Sequence, residues 1–144
     1  MGLGIRVLLV NPPWKSGFVR AGSRWPFTNK TKESASTYTP FPFFMAYAAS
    51  LLEENDVEVG VIDALAENLS MREFNSRVER FSPDLVVVET STVSIYNDWK
   101  IINSLKEDFD VLIAAVGPHV TALPEETLNN SLADFVLFGE YEVT

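Results

Sequence analysis

The residues best suited to chemistry in this sequence are Gly117, Pro118 and His119, which directly follow the apolar run 111–116. His119 is the only histidine among 144 residues. Its imidazole could act as a general base, ligate a metal ion, or pack and hydrogen-bond beneath a ligand. The chain has no cysteine and no second histidine for a metal site, and no nucleophile-elbow motif surrounds His119. We therefore favour the third role and predict no catalytic residue and no metal ligand.

Polar and glycine residues also follow three other predicted strands. In an open parallel sheet, ligands bind beyond the carboxyl ends of the strands, where the strand order reverses. Glycine there lets backbone approach a ligand, and hydroxyl groups can donate or accept hydrogen bonds. The predicted cofactor-binding residues are therefore Asn11, Pro12 and Pro13 after the first strand, Thr90, Ser91 and Thr92 after the third, Gly117, Pro118, His119, Val120 and Thr121 after the fourth, and Gly139, Glu140 and Tyr141 after the fifth.

The hydrophobic pattern predicts the elements that would position these residues. Apolar runs predict strands at 5–10, 57–62, 84–89, 111–116 and 135–138, and apolar residues at helical spacing predict helices at 42–55, 70–82, 95–105 and 123–132. Strict alternation indicates a parallel sheet covered on both faces. The first, third and fourth strands are the most continuously apolar and should be central. The prediction is an α/β, flavodoxin-like (Rossmann-like) three-layer sandwich with a five-stranded sheet in the order 2-1-3-4-5.

Length and composition favour one domain, 1–144, of a cytoplasmic protein. No apolar run approaches the roughly 20 residues of a membrane span. The net charge of −9 argues against nucleic acid as a partner. The charge is uneven, because residues 14–32 carry five basic residues and no acidic one. This basic segment belongs to a long, irregular loop, 14–40, whose aromatic residues favour a function over disorder.

Several nucleotide-binding and signalling motifs are absent. The glycines Gly2 and Gly4 precede the first strand instead of following it, so they form no dinucleotide-binding fingerprint. Without that fingerprint, Asp63 is not expected to bind a ribose. No phosphate-binding GxxxxGK[ST] loop is present. After the corresponding strands, the sequence lacks the acidic cluster and the lysine of a two-component receiver. It also lacks the hydroxyl-rich phosphate loop of flavodoxin.

Seven short stretches occur in an order that resembles a known family. They are Leu8-Leu9-Val10-Asn11-Pro12-Pro13, the helix 42–54, Val61-Ile62-Asp63-Ala64, Pro83-Asp84-Leu85-Val86, Val116-Gly117-Pro118-His119-Val120-Thr121, Pro124-Glu125 and Phe138-Gly139-Glu140-Tyr141-Glu142. Together they resemble the N-terminal cobalamin-binding domain of cobalamin-dependent radical SAM enzymes, a class that includes methyltransferases and anaerobic magnesium-protoporphyrin monomethyl ester cyclases. The similarity runs from about Ile5 to the last residue.

The resemblance implies that cobalamin, a corrinoid, lies over the carboxyl ends of the strands. It implies contacts from residues 90–92 and 117–121 to the corrin and its nucleotide tail, with residues 139–141 closing the far side. Base-off cobalamin proteins supply a cobalt ligand from Asp-x-His-x-x-Gly after the first strand. This chain has Asn11-Pro12-Pro13-Trp14-Lys15 there, and His119 lies on another loop, so we expect no protein ligand to cobalt.

The resemblance also implies a longer parent protein. Without cysteine, this chain cannot hold the four-iron–four-sulfur cluster of the radical reaction, so alone it should not be an enzyme. The expected parent is a radical SAM methyltransferase or oxidative cyclase, in which a domain following Thr144 binds the cluster and S-adenosylmethionine. The alternative is a flavodoxin-like regulatory or protein-interaction domain with no corrinoid.

Overall fold

A computed structural model describes residues 4–14 and 41–143, and the backbone of residues 19–21 and 25–27. In this part of the chain the strands are β1 (Arg6–Asn11), β2 (Val19–Ala21), β3 (Trp25–Phe27), β4 (Glu58–Asp63), β5 (Leu85–Glu89), β6 (Leu112–Val116) and β7 (Phe135–Val136). The helices are α1 (Phe43–Glu54), α2 (Met71–Phe81), α3 (Ile95–Asp108), α4 (Pro118–Ala122) and α5 (Pro124–Asn130), followed by a 3₁₀ turn (Tyr141–Val143).

The main sheet has the order β4-β1-β5-β6-β7, and all of its pairs are parallel. This order confirms the predicted 2-1-3-4-5 arrangement. The central strands β1, β5 and β6 bury both of their faces, as continuous apolar strands in a parallel sheet must. Strand β4 is partly exposed and occupies one edge, and the two-residue β7 occupies the other.

Helices cover both faces of this sheet. On one face, α2, α3 and α4 contribute Phe74, Val78, Ile102, Leu105 and Val120 to the larger core cluster. On the opposite face, α1 and the 3₁₀ turn pack through Met45, Ala48 and Tyr141 against Val87, Ala114 and Val116. The result is the three-layer sandwich that the strand–helix alternation predicts.

Local capping chemistry sets the start and end of α2. The Ser70 hydroxyl accepts a hydrogen bond from the Glu73 backbone N–H, and the Glu73 carboxylate accepts one from the Ser70 N–H at 2.9 Å. This reciprocal pair satisfies backbone donors that the first helical turn leaves free. Ser82 adopts a left-handed conformation with φ 52° and ends the helix.

Two expectations from the sequence were wrong, one at residues 118–122 and one in the segment 14–40. Residues 118–122 form helix α4 instead of a loop, because Pro118 has the φ that suits the first helical position and lacks the N–H that would be unsatisfied there. The predicted helix 123–132 is confirmed as α5 (Pro124–Asn130), which Leu123 separates from α4. The segment 14–40 is also not wholly irregular, since the backbones of β2 and β3 pair antiparallel. The basic side chains of that segment lie outside the described residues.

Candidate functional site

The loops that follow β5 and β6 are joined by hydrogen bonds at the carboxyl edge of the sheet. The Thr90 backbone N–H donates to the Val116 carbonyl oxygen at 2.8 Å, and the Thr90 hydroxyl donates to the same oxygen at 2.7 Å. Thr90 is fully buried. The structure therefore brings together two of the four predicted loops and joins them by hydrogen bonds.

Gly117 occupies the tightest point of this junction. Its φ is +114°, a conformation open to glycine and strained for other residues. A Cβ atom built there would collide with the carbonyl oxygen of Thr90 and lie 3.0 Å from the Thr90 nitrogen. The structure thus explains this glycine by the close approach of two strand ends, a reason that the sequence pattern did not reveal.

A buried polar network holds the remainder of the loop after β5. The Asp98 carboxylate, on the first turn of α3, accepts hydrogen bonds from the Ser94 hydroxyl at 2.6 Å and the Ser91 backbone N–H at 3.2 Å. The Ser91 and Ser94 hydroxyl oxygens are 2.8 Å apart. A carboxylate is favoured near a helix N-terminus, where the helix dipole is positive. Asp98 therefore fixes the path of the chain between Thr90 and α3.

The loop after β7 is tied to the same edge by two contacts. The Gly139 N–H donates to the Thr121 hydroxyl at 3.0 Å, which joins this loop to α4. The Tyr141 hydroxyl donates to the buried Glu89 carboxylate at 2.6 Å, across 52 residues of sequence. Glu89 is the last residue of β5, so Tyr141 anchors the end of the described chain to the centre of the sheet.

The loop after β1 borders a cavity of about 350 Å³. Asn11, Pro12 and Pro13 are buried, and the Asn97 side-chain amide donates to the Pro13 carbonyl oxygen at 3.0 Å. The cavity is lined by Pro13, Trp14, Asn97, Asn68, Leu69, Ser70, Met71 and Glu73. It lies beside the point where the strand order reverses, on the face covered by α2 and α3, and the loops after β6 and β7 do not line it.

His119 lies beneath the surface, 3% exposed. Its ring packs edge-to-face on Trp99 with centroids 5.9 Å apart, and its Nε2 is 3.5 Å from the Glu126 carboxylate. Neither ring nitrogen has a hydrogen-bond partner among the described residues. A buried ring packed in this way fits a structural role. A general base or a metal-coordinating side chain would be exposed at the mouth of the site.

The predicted site residues divide by exposure. Those on the surface are Thr92, Thr121, Gly139 and Glu140, with Pro118 half-buried, whereas Asn11, Pro12, Pro13, Thr90, Ser91, Gly117, His119, Val120 and Tyr141 are buried. The buried residues form the interior of the carboxyl edge of the sheet. The exposed residues place hydroxyl, backbone and carboxylate groups at its surface. Their contact with a cofactor stays a prediction. Sequence reasoning missed Glu89, Ser94 and Asp98, for which spacing alone gives no sign.

Comparison with known proteins identifies the family. Residues 34–144 match the family model of the B12 binding domain. The chain belongs to the B12-binding domain family. This membership confirms the resemblance drawn from the ordered motifs and supports corrinoid binding.

Among the described residues, no three His, Cys, Asp or Glu side chains are grouped so that they could hold a metal ion, and no helix has the length and hydropathy to cross a membrane.

Two curated relatives of this B12-binding domain are longer proteins. One is an uncharacterized methyltransferase, PH0819, from Pyrococcus horikoshii, 33% identical over 97% of this chain and 28% of the relative. Another is the anaerobic magnesium-protoporphyrin IX monomethyl ester cyclase of Rubrivivax gelatinosus, 25% identical over 96% of this chain and 23% of the relative. The chain spans about a quarter of the length of these relatives.

Proposed function

We propose that this chain is the corrinoid-binding module of a larger enzyme and holds cobalamin across the carboxyl ends of β1, β5, β6 and β7. The proposal rests on the hydrogen bonds that join neighbouring loops at the carboxyl edge of the sheet. Hydrogen bonds from Thr90 to Val116 and from Gly139 to Thr121 connect the loops after three neighbouring strands. These loops extend from β5, which borders the reversal of strand order, to β7 at the edge of the sheet, and such a row of joined loops suits a broad ligand in a protein of the B12-binding family.

The residues at this edge fit the chemistry of a corrinoid. The corrin periphery carries amide groups, and its nucleotide tail carries a phosphate. The exposed Thr92 and Thr121 offer hydroxyl donors and acceptors, and Gly139 and Glu140 offer backbone and carboxylate groups. Beneath them, Asp98 and Tyr141 hold the loops in place, so little conformational freedom should be lost on binding.

We propose that the protein supplies no ligand to cobalt. Pro12 and Pro13 stand where a ligand-bearing loop would follow β1, and His119 is buried with its ring packed edge-to-face on Trp99. The chain would orient the corrin from one side and exclude water there. When bound, the corrinoid supplies a cobalt centre for methyl transfer or radical chemistry.

We propose that this chemistry requires a radical SAM domain in the same polypeptide, with a four-iron–four-sulfur cluster and S-adenosylmethionine. The motif order supports this proposal, as do the names of the relatives, a methyltransferase and a cyclase, and their greater length. This chain has no cysteine with which to hold the cluster. Its own part would be to present the cofactor.

Gel filtration after mixing the protein with hydroxocobalamin tests the binding. We expect visible absorbance to elute with the protein. Thr92→Trp, which places bulk on the exposed edge, should reduce the bound cofactor at least fivefold. Leu128→Trp on α5, a residue that is 43% exposed, is the matched control and should bind as the original does. Protein that elutes colourless despite excess cobalamin would favour the regulatory or interaction domain instead.

A further inference from the structure

The cavity of about 350 Å³ beside the loop after β1 lies apart from the loops that hydrogen bonds join at the carboxyl edge. Its walls come from the loop after β1, the turn between β4 and α2, the first turn of α2, and α3. The loops that carry Thr92, Thr121 and Gly139 do not line it. Small-molecule sites enclose roughly 300–1,000 Å³, so a cavity near the lower end of that range would hold a compound far smaller than a corrinoid.

Apolar side chains form one part of the cavity wall. Pro13 and the indole of Trp14 come from the loop after β1, Leu69 from the turn before α2, and Met71 from the first position of α2. Trp14 is half-buried and still reaches the cavity. Aromatic rings and thioethers make favourable contacts with flat aromatic ligands. This part of the wall therefore suits a planar ring.

The polar part of the wall consists mainly of hydrogen-bond acceptors. The Asn97 Nδ2 donates to the Pro13 carbonyl oxygen at 3.0 Å, and no described residue donates to the Asn97 Oδ1. The Glu73 Oε2 accepts both the Ser70 N–H at 2.9 Å and the Ser70 hydroxyl at 2.6 Å, so the Glu73 Oε1 can accept from another molecule. Asn68 adds a further side-chain amide. A matching ligand would bring N–H or O–H donors.

The charge of the wall narrows the class of ligand further. Among the described residues that line the cavity, Glu73 is the only ionisable one. Hydrogen bonds from Ser70 lower the pKa of Glu73, so its carboxylate is charged at neutral pH. A phosphate bound here would therefore meet a carboxylate and, within the described part of the wall, no cation. An anionic ligand is disfavoured.

We propose that this cavity is a second ligand site, which binds an uncharged aromatic heterocycle of nucleoside size that carries N–H donors. The ring would stack on Trp14, and its N–H groups would donate to the Asn97 Oδ1 and the Glu73 Oε1. A phosphate on the same ligand would weaken binding because of its repulsion by Glu73. Because the loops after β5, β6 and β7 do not line the cavity, binding should not depend on the corrinoid.

Titration of the isotope-labelled protein with adenosine, followed by NMR, tests the proposal. Adenosine is uncharged, and its planar base carries an amino group. We expect saturable shifts of the Trp14 indole N–H and of the backbone amides of Leu69 and Met71, with a Kd below about 1 mM. AMP differs from adenosine by one phosphate and should bind at least about fivefold more weakly. Excess hydroxocobalamin should change the Kd of adenosine by less than about twofold.

Three variants assign the binding to particular side chains. Asn97→Leu should weaken adenosine binding at least about fivefold, because it removes the Oδ1 acceptor. Glu73→Gln keeps the capping of α2, since glutamine also serves at that position, but removes the charge. It should therefore bring the Kd of AMP closer to that of adenosine. Asn130→Leu on α5 is the matched control: it removes an exposed amide that also donates to a backbone carbonyl, and adenosine should bind as to the original protein.

The proposal fails if about 5 mM adenosine leaves the Trp14, Leu69 and Met71 signals unchanged. Equal affinity for AMP and adenosine would show that the cavity does not select against charge. Displacement of adenosine by hydroxocobalamin, or shifts at Thr92 in place of Leu69, would assign the nucleoside to the corrinoid site and overturn a second one. Equal binding to the Asn97→Leu and Asn130→Leu variants would show that the cavity amide does not contact the ligand.

Discussion

Replacing Gly117 by alanine tests the junction between β5 and β6, on which the candidate site depends. The substitution adds a Cβ atom at φ +114°, where it would collide with the Thr90 carbonyl oxygen. Forcing a residue other than glycine into this region costs about 1–3 kcal/mol. Pressing the added atom against a packed neighbour costs about another 1–3 kcal/mol. We therefore expect Gly117→Ala to lower the free energy of unfolding by roughly 2–6 kcal/mol.

Two other glycines separate these contributions. Gly139 has φ +83° but no atom within 4 Å of a built Cβ, so Gly139→Ala should cost only the backbone strain of about 1–2 kcal/mol. Gly4 has open space and no positive φ, so Gly4→Ala should change stability by less than about 0.5 kcal/mol. Urea denaturation followed by circular dichroism gives all three values. If Gly117→Ala is no more destabilising than Gly139→Ala, the close approach of Thr90 is not what requires glycine.

Three further predictions concern single side chains. Asp98→Asn should lower stability by about 1.5–3 kcal/mol in urea denaturation, because it removes charge-assisted hydrogen bonds to Ser91 and Ser94; a change below about 0.5 kcal/mol would show that the network does not hold the loop. Partial burial by itself would raise the pKa of Asp134, but hydrogen bonds from Lys106 and the Ile113 N–H outweigh it and lower that pKa. A lowered folded-state pKa contributes stability above the pKa of the unfolded chain, which is lost as the pH falls through the folded value. Lys106→Met should therefore flatten the fall in stability between about pH 5 and pH 2, measured by thermal unfolding, and an unchanged pH profile would contradict this assignment. His119→Gln should leave the visible spectrum of bound cobalamin unchanged, whereas a shifted cobalt spectrum would show that the imidazole is a ligand after all.

The order of the sheet could be predicted because it follows from local pattern. Continuous apolar runs marked β1, β5 and β6 as central, and the alternation in β4 marked an edge. Helix α4 was missed although Pro118 at its first position is a known start signal. Gly117 was taken as part of a ligand-binding loop, so the helix that begins directly after it was not predicted.

The interior of the candidate site was less predictable for a physical reason. The contact between Tyr141 and Glu89 joins residues 52 positions apart, and no local periodicity encodes such a pair. The sequence could have placed Asp98 in the first turn of α3. It could not show that Asp98 holds the loop, since an acidic residue in a first helical turn is common on exposed surfaces. Its complete burial, which makes it a structural anchor, becomes visible only once α3 is placed on the sheet.

The most direct test of the central claim is a titration of the isotope-labelled protein with methylcobalamin, followed by NMR of the backbone amides. Binding at the carboxyl edge predicts shifts for Thr92, Thr121 and Gly139, with little change for Asp84 and Asp110 at the opposite end of the strands. Unchanged amides throughout, or shifts confined to Asp84 and Asp110, would contradict a corrinoid site at the carboxyl ends of the sheet.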